Sequence, residues 1–462
     1  MLFNSLEFVL FFIVVIPLYS VLRGNWTVRK AFLLASSYVF YMAWNPPFVL
    51  LLVFSTLLDY VAGHRISGTT RRGVRIGWLT ASISGNLGVL AFFKYGDFIL
   101  SSIWSALPDT AVYPNWVTDI VLPIGISFYT FQSMSYTIDV YRDKASCANS
   151  FLDFAVYVSF FPQLVAGPII RSREFLPQLT EEHSASATDI LQGMDQMFRG
   201  FFKKVVLADT LAVYVDAVYA APEQFGAFNH LLAAYAYAFQ IYFDFSGYSD
   251  IAIGTGRILG FRVPPNFRLP YLARGPADFW TRWHISLSSW LRDYLYISVG
   301  GSRGGRLKTI RNLLITMLLG GLWHGAAWNY VLWGGFHGIW LVVHRILFRD
   351  RILFRVPRGI SVFVTFHLVC LAWVFFRAQS FEAISIVLRN LTNFELPFYL
   401  ATPDVLFAIA AGFISHLMGA STHLQRMWND SFFGIKSFWY AFVIVSVFFV
   451  TRTSANFIYF QF

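Results

Sequence analysis

Charge is scarce in this sequence: Asp, Glu, Lys and Arg together make up 13% of its 462 residues, against 56% hydrophobic ones. A chain so composed cannot clothe itself in polar surface, which excludes an ordinary soluble globule. Cysteine is nearly absent. Cys147 and Cys370 are the two present, far apart and one of them inside an apolar run, which excludes a disulfide framework and a thiolate metal site. There is no His-Glu-x-x-His zinc motif, so no metal site is expected, and neither a Walker loop nor a Gly-x-Ser-x-Gly elbow occurs. Phosphate-bond hydrolysis and serine esterase chemistry have no footing here. Internal repeats and low-complexity linkers are missing as well, so a single membrane domain over residues 1–462 is expected.

What the sequence does contain is apolar runs long enough to cross a bilayer, which takes roughly 17–25 residues. Leu6–Leu22, Ile76–Phe93, Ile339–Phe348 with the run before it, Ser361–Phe376, Val405–Met418 and Phe438–Val450 are the clearest. Met1–Glu7 has no basic region of the signal-peptide kind, so Leu6–Leu22 reads as a retained span. The net charge of +10 is placed between the runs, marking cytoplasmic loops and not a nucleic-acid surface. His64–Arg75, Arg345–Arg358 and the long stretch Arg274–Arg311 are such loops. Counting outward from Arg345–Arg358 leaves Arg452–Phe462 on the outer side. Trp44-Asn45-Pro46-Pro47, Leu122-Pro123-Ile124-Gly125 and Val263-Pro264-Pro265-Asn266 mark turns or re-entrant breaks. The expectation is an all-α polytopic bundle of roughly ten or eleven spans. Trp280, Trp283, Leu287, Trp290 and Tyr294 recur at spacings of three and four, which predicts one amphipathic helix over Trp280–Tyr294.

His324 is the residue on which chemistry would turn. It stands in Leu313–Trp333, a run with no charged residue, among Gly320, Gly321, Gly325, Ala326 and Ala327. An imidazole in hydrocarbon is expensive unless it faces a protein interior or a water-filled cavity, and its unperturbed pKa, about 6.5, suits it to general-base work. The plain alternative is a core histidine satisfied by a backbone carbonyl. His337 and His344 share a helical face, but His344 abuts a basic loop. Asp244 and Asp250 lie six residues apart among aromatics, a poor match for one helical face, which favours structural support over a paired acid and base.

These residues sit in recognisable text. Leu122–Gln132, Phe160–Pro168, Gln240–Asp250, Phe279-Trp280-Thr281-Arg282-Trp283-His284-Ile285-Ser286-Leu287-Ser288 and Gly321-Leu322-Trp323-His324-Gly325 resemble, in that order, the membrane-bound O-acyltransferases, most closely the alginate O-acetyltransferase branch. The core motifs extend over residues 122–344. The resemblance implies that family's fold, with re-entrant helices around a central tunnel, and maps its paired residues onto His324 and His284. It implies transfer of acetyl from cytoplasmic acetyl-coenzyme A, with no bound cofactor, to an exported polysaccharide outside the cytoplasmic (inner) membrane. A periplasmic serine-hydrolase-like partner would complete the transfer. Asp244, Ser246, Asp250, Trp280, Arg282 and Trp323 are then expected along the substrate tunnel. Asn456–Phe462 resembles a terminal motif of the acyl-export branch, which makes Tyr459 a candidate acyl relay; an aromatic anchor at the headgroups is the plain alternative.

Moving an acyl group from a thioester to a hydroxyl needs a base, a part His324 suits. His284 is open to orienting the donor, tuning its partner or stabilising an oxyanion. Alginate, another exopolysaccharide and peptidoglycan are all acceptors within the resemblance, and D-alanyl transfer to teichoic acid is more distant. A transporter or flippase without chemistry, or a scaffold, would also use many spans.

Overall fold

The structure is a computed structural model that describes every residue except Leu2, Ala106, 108–119, 350–355, 397–398, 430–432, 451–457 and 459–462. Among the described residues the regular structure is all helix, as expected. Helices satisfy their backbone groups internally, which hydrocarbon demands. Pro46–Ser67, Arg72–Trp104, Trp328–Phe348 and Arg358–Arg377 are long and apolar enough to cross a bilayer, and Pro403–Gly419 with Thr422–Trp428, bent by 89°, would make a fifth. Shorter apolar helices, Leu6–Val21 and Gly434–Phe449, stand beside them among the described residues. Leu6–Val21 has 16 residues, about 24 Å of helix, and Trp26–Met42 carries Arg29 and Lys30.

The chain divides into two compact units. The first comprises Met1–Met197 and Ile251–Pro264. Ser5 and Asn25 cap Leu6–Val21 and Trp26–Met42 by accepting from the N–H groups of Phe8 and Val28. Asp59, buried in this unit, is satisfied by sharing: it accepts from Asn86 Nδ2 at 2.8 Å, from Thr137 Oγ1 at 3.1 Å and from Ser82. One carboxylate thus ties Val49–Ser67 to Arg72–Leu90 and Ile126–Tyr141. Gly125, in the expected Leu-Pro-Ile-Gly turn, has φ +77°, and a Cβ there would stand 2.8 Å from the Leu164 carbonyl oxygen, so no other residue suits it.

The second unit comprises Phe198–Asp250 and Pro265–Phe462. Its core is aromatic, with Tyr237, Phe239, Tyr271, Phe279, Trp283, Trp333, Phe366 and Trp373 buried together. Arg306–His324 and Trp328–His344 form a hairpin joined by Gly325, Ala326 and Ala327. Small residues let the two helices touch: a Cβ on Gly321 would lie 2.2 Å from the Tyr330 carbonyl oxygen, and one on Gly334 2.2 Å from that of Met317. The open end of this hairpin carries Arg306, Lys308, Arg311 and Arg345, and His324 ends the helix at the other.

The amphipathic helix expected over Trp280–Tyr294 is interrupted. Pro276–Trp280 stops, Ile285–Trp290 starts afresh, and between them His284 takes φ +42°. The cause is competition from a neighbouring loop. Asn266 accepts the Ile285 N–H on its carbonyl at 2.9 Å and the Ser286 N–H on its Oδ1 at 3.1 Å, replacing bonds a continuous helix would make. The aromatic spacing survives the break because Trp283, Leu287, Trp290 and Tyr294 are still all buried.

Candidate active site

Two histidines meet in the second unit. His324 arrives on the last turn of Arg306–His324 and is 4% exposed; His284, at the start of Ile285–Trp290, is fully buried. Their ring centroids are 6.4 Å apart. Around His324 stand Trp323 at 5.1 Å, Trp333 at 5.0 Å and Phe376 at 5.4 Å between centroids. Phe245 meets His284 edge-on at 4.6 Å and Trp323 lies 5.9 Å from it. The pair therefore sits in an aromatic, low-dielectric surround, where an electrostatic interaction is worth more than in water.

Asn266 orients the second ring. Its Oδ1 takes the Ser286 N–H at 3.1 Å and the Ser286 hydroxyl at 2.9 Å, and lies 3.2 Å from His284 Nδ1. A main-chain N–H can only donate, so the atom facing it is the amide oxygen and not the nitrogen. Nδ1 of His284 must then carry the proton, and Nε2 the lone pair. The residue's φ of +42° is a rare setting for a side chain with a Cβ, of the sort that clusters at functional sites.

The expected tunnel residues divide. Trp323 and Asp244 belong with the pair or with the cavity described below. Asp244 and Asp250 are paired with lysines: Lys204 Nζ stands 2.6 Å from Asp244 and 3.0 Å from Asp209, and Lys203 Nζ 2.6 Å from Asp250. Ser246 is buried between them in the sequence. Trp280 joins another cluster, against Trp333 and His337 at 5.7 and 5.0 Å. Arg282 is held away, paired with Asp278 at 2.6 Å. His337 is fully buried among Phe279, Trp280 and Trp333.

Next to the hairpin tip lies a cavity of about 420 Å³, lined by Tyr237, Gln240, Ala326, Ala327, Asn329, Tyr330, Arg377 and Ile458 among others. It begins two residues beyond His324. Gln240 and Asp244 are four apart on Ala227–Ile258 and so share a face. The backbone N–H of Ile458 donates to Asp244 Oδ2 at 2.8 Å. Tyr459, the relay candidate, lies outside the described residues.

Sequence reasoning missed Asn266, Lys204, Trp333, Tyr330 and Phe376. A signal existed for Lys204, since two adjacent lysines followed by the apolar stretch Val205–Ala208 call for carboxylate partners. For Asn266 there was only its place in a turn.

Comparison with known proteins identifies the family. The family model of the membrane-bound O-acyltransferases matches residues 140–385. A protein of Pseudomonas aeruginosa named probable alginate O-acetylase is 44% identical over 386 residues, 83% of this chain and 73% of that one. Its namesake in Azotobacter vinelandii is 45% identical over 359 residues, covering 77% and 70%. A peptidoglycan O-acetyltransferase of Helicobacter pylori is 36% identical over 395 residues, covering 79% and 74%. Apolar helices, a buried histidine pair and these matches lead to one conclusion: this chain is a multi-pass membrane protein and an O-acyltransferase, a member of the membrane-bound O-acyltransferase family.

Proposed function

We propose that this enzyme moves acetyl groups from cytoplasmic acetyl-coenzyme A onto an exported polysaccharide, alginate before any other, working in the inner membrane. The observation that carries the reading is the histidine pair at the tip of a hairpin whose opposite end is basic. Basic residues favour the cytoplasmic side, so the cavity at the tip faces the other way, toward an acceptor. Relatives named as alginate O-acetylases at 44 and 45% identity favour alginate over peptidoglycan, for which the named relative is 36% identical.

In the reaction the acceptor oxygen attacks the thioester carbonyl carbon. The new C–O bond forms as the C–S bond breaks, and His324 takes the hydroxyl proton and returns it to the departing thiolate. His284 presents a lone pair at Nε2. Of the roles open to it, orienting the donor and tuning His324 fit that tautomer, whereas stabilising an oxyanion needs a second proton on the ring. Tyr459 would carry the acetyl group onward, to a periplasmic serine-hydrolase-like partner that completes the transfer; the docking of the adjacent Ile458 at the cavity supports this.

Purified protein in detergent with labelled acetyl-coenzyme A tests the reading. Thiol release that His324→Ala abolishes is the expected result. Transport without chemistry predicts no thiol release from either protein, and seeing none would overturn the proposal.

A further inference from the structure

A buried carboxylate that the proposed reaction does not use calls for another purpose. Asp244 is 1% exposed, and its charge is matched by Lys204, itself 3% exposed and shared with Asp209. Lys204 has two carboxylates, so neutralising one lysine does not require Asp244. What Asp244 does, and Asp209 is not seen to do, is receive the backbone N–H of Ile458 from 214 positions away in the chain. Ile458 is 4% exposed, joins the aromatic core of its unit and forms part of the cavity wall with Ala326, Ala327 and Tyr330.

We propose that Asp244 is a positioning residue: paired with Lys204, it latches Ile458 against the cavity beside His324, so that Ile458 is a working wall of the acceptor side. This rests on the acyl-transfer reading. A hydrogen bond to a charged acceptor is stronger than one between neutral groups, and a backbone N–H makes the latch independent of the side chain at 458. The bond fixes which residue stands at the wall, because a slip of one residue would offer Asp244 a different amide. Apolar burial of the Ile458 side chain would hold this residue too, but without that selectivity.

The backbone donor can be deleted without touching Asp244 or Lys204. Ile458→Pro has no N–H, whereas Ile458→Val keeps it while trimming the side chain. In full-length protein supplied with acetyl-coenzyme A and a polysaccharide acceptor, Ile458→Pro is expected to lower kcat for acetyl delivery by about tenfold more than Ile458→Val. KM for acetyl-coenzyme A should stay within about twofold in both. Carboxypeptidase trimming followed by mass spectrometry gives a readout that activity does not. Trimming past residue 458 should quicken about tenfold in Asp244→Ala, and less in Asp244→Asn, whose amide oxygen still accepts. Equal kcat losses in the proline and valine variants, or unchanged trimming in Asp244→Ala, would overturn the latch. Absence of His324-dependent thiol release in the unaltered protein would instead remove the acyl-transfer reading beneath it.

Discussion

Asn266 and His284 meet through an amide oxygen that a backbone N–H has already claimed. Because Ser286 N–H points at Asn266 Oδ1 from 3.1 Å, the imidazole 3.2 Å away can approach that oxygen only as a donor. The ring's tautomer is thus set by a residue 18 positions earlier, in a loop, whose amide oxygen the Ser286 N–H fixes in place.

Removing that acceptor should cost turnover more than it costs substrate binding. Asn266→Ala leaves His284 Nδ1 and the Ser286 donors without their shared oxygen. A buried hydrogen bond lost in this way is worth about 1–3 kcal/mol, or roughly ten- to a hundredfold in rate where it falls on the barrier. Asn266→Asp keeps an acceptor at the same place and should retain more activity than the alanine variant. Initial rates of thiol release from acetyl-coenzyme A, with KM measured alongside, check both expectations; a loss confined to KM would contradict them.

Lys204 should prove more costly to remove than either of its partners. Lys204→Met leaves Asp209 and Asp244 buried at about 1% exposure with no cation between them, and breaking a buried pair from one side typically costs about 3–5 kcal/mol. Asp209→Asn leaves Lys204 with Asp244 and should lose less. Thermal unfolding midpoints in detergent order the variants, with Lys204→Met lowest. Lys203→Met, whose pair with Asp250 is a fifth to a quarter exposed at the side chains, belongs between Lys204→Met and the unaltered protein.

The contrast between Lys204 and His324 shows what a single sequence makes legible here. A lone imidazole in a run without charge stands out, because hydrocarbon penalises it unless it has work or a partner. The motif text around it and around His284 carried the pairing, which the structure realises at 6.4 Å between rings. Lys204 has no such motif text around it, and nothing local says that the carboxylate of Asp244, 40 residues later, will fold back onto it. The break at His284 was hidden for a related reason. Aromatic spacing reports which side chains become buried, and both halves of the interrupted helix bury theirs; the hydrogen bonds that cut it come from Asn266.

At the hairpin crossing, the sequence's small residues make a quantitative demand. Gly321→Ala puts a methyl group 2.2 Å from the Tyr330 carbonyl oxygen, a main-chain atom that cannot swing aside. The helices must part, and overpacking of this kind costs about 1–3 kcal/mol. Gly335→Ala, whose new methyl would meet only Leu318 Cδ2 at 3.5 Å, should be tolerated. A fall in unfolding midpoint for Gly321→Ala and none for Gly335→Ala is the expected pattern.

Gly325→Ala should separate activity from stability in the opposite sense. The backbone there is extended, with φ −161°, so alanine meets no conformational penalty. Its methyl group would instead run into the Tyr330 ring, 2.2 Å from Cε2 and 2.4 Å from Cδ2, and a side chain, unlike a carbonyl, can turn away. Tyr330 packs on Phe376 at 5.0 Å, and Phe376 on His324 at 5.4 Å, so the displaced ring shifts the surround of the proposed base and narrows the cavity it lines. The unfolding midpoint should therefore move little, while His324-dependent thiol release falls by about tenfold or more, since misplacing a reacting group by as little as about 1 Å is enough for such a loss. If Gly325→Ala instead loses stability as Gly321→Ala does and keeps its turnover, the Tyr330 ring is a brace for the hairpin and plays no part in shaping the site around His324.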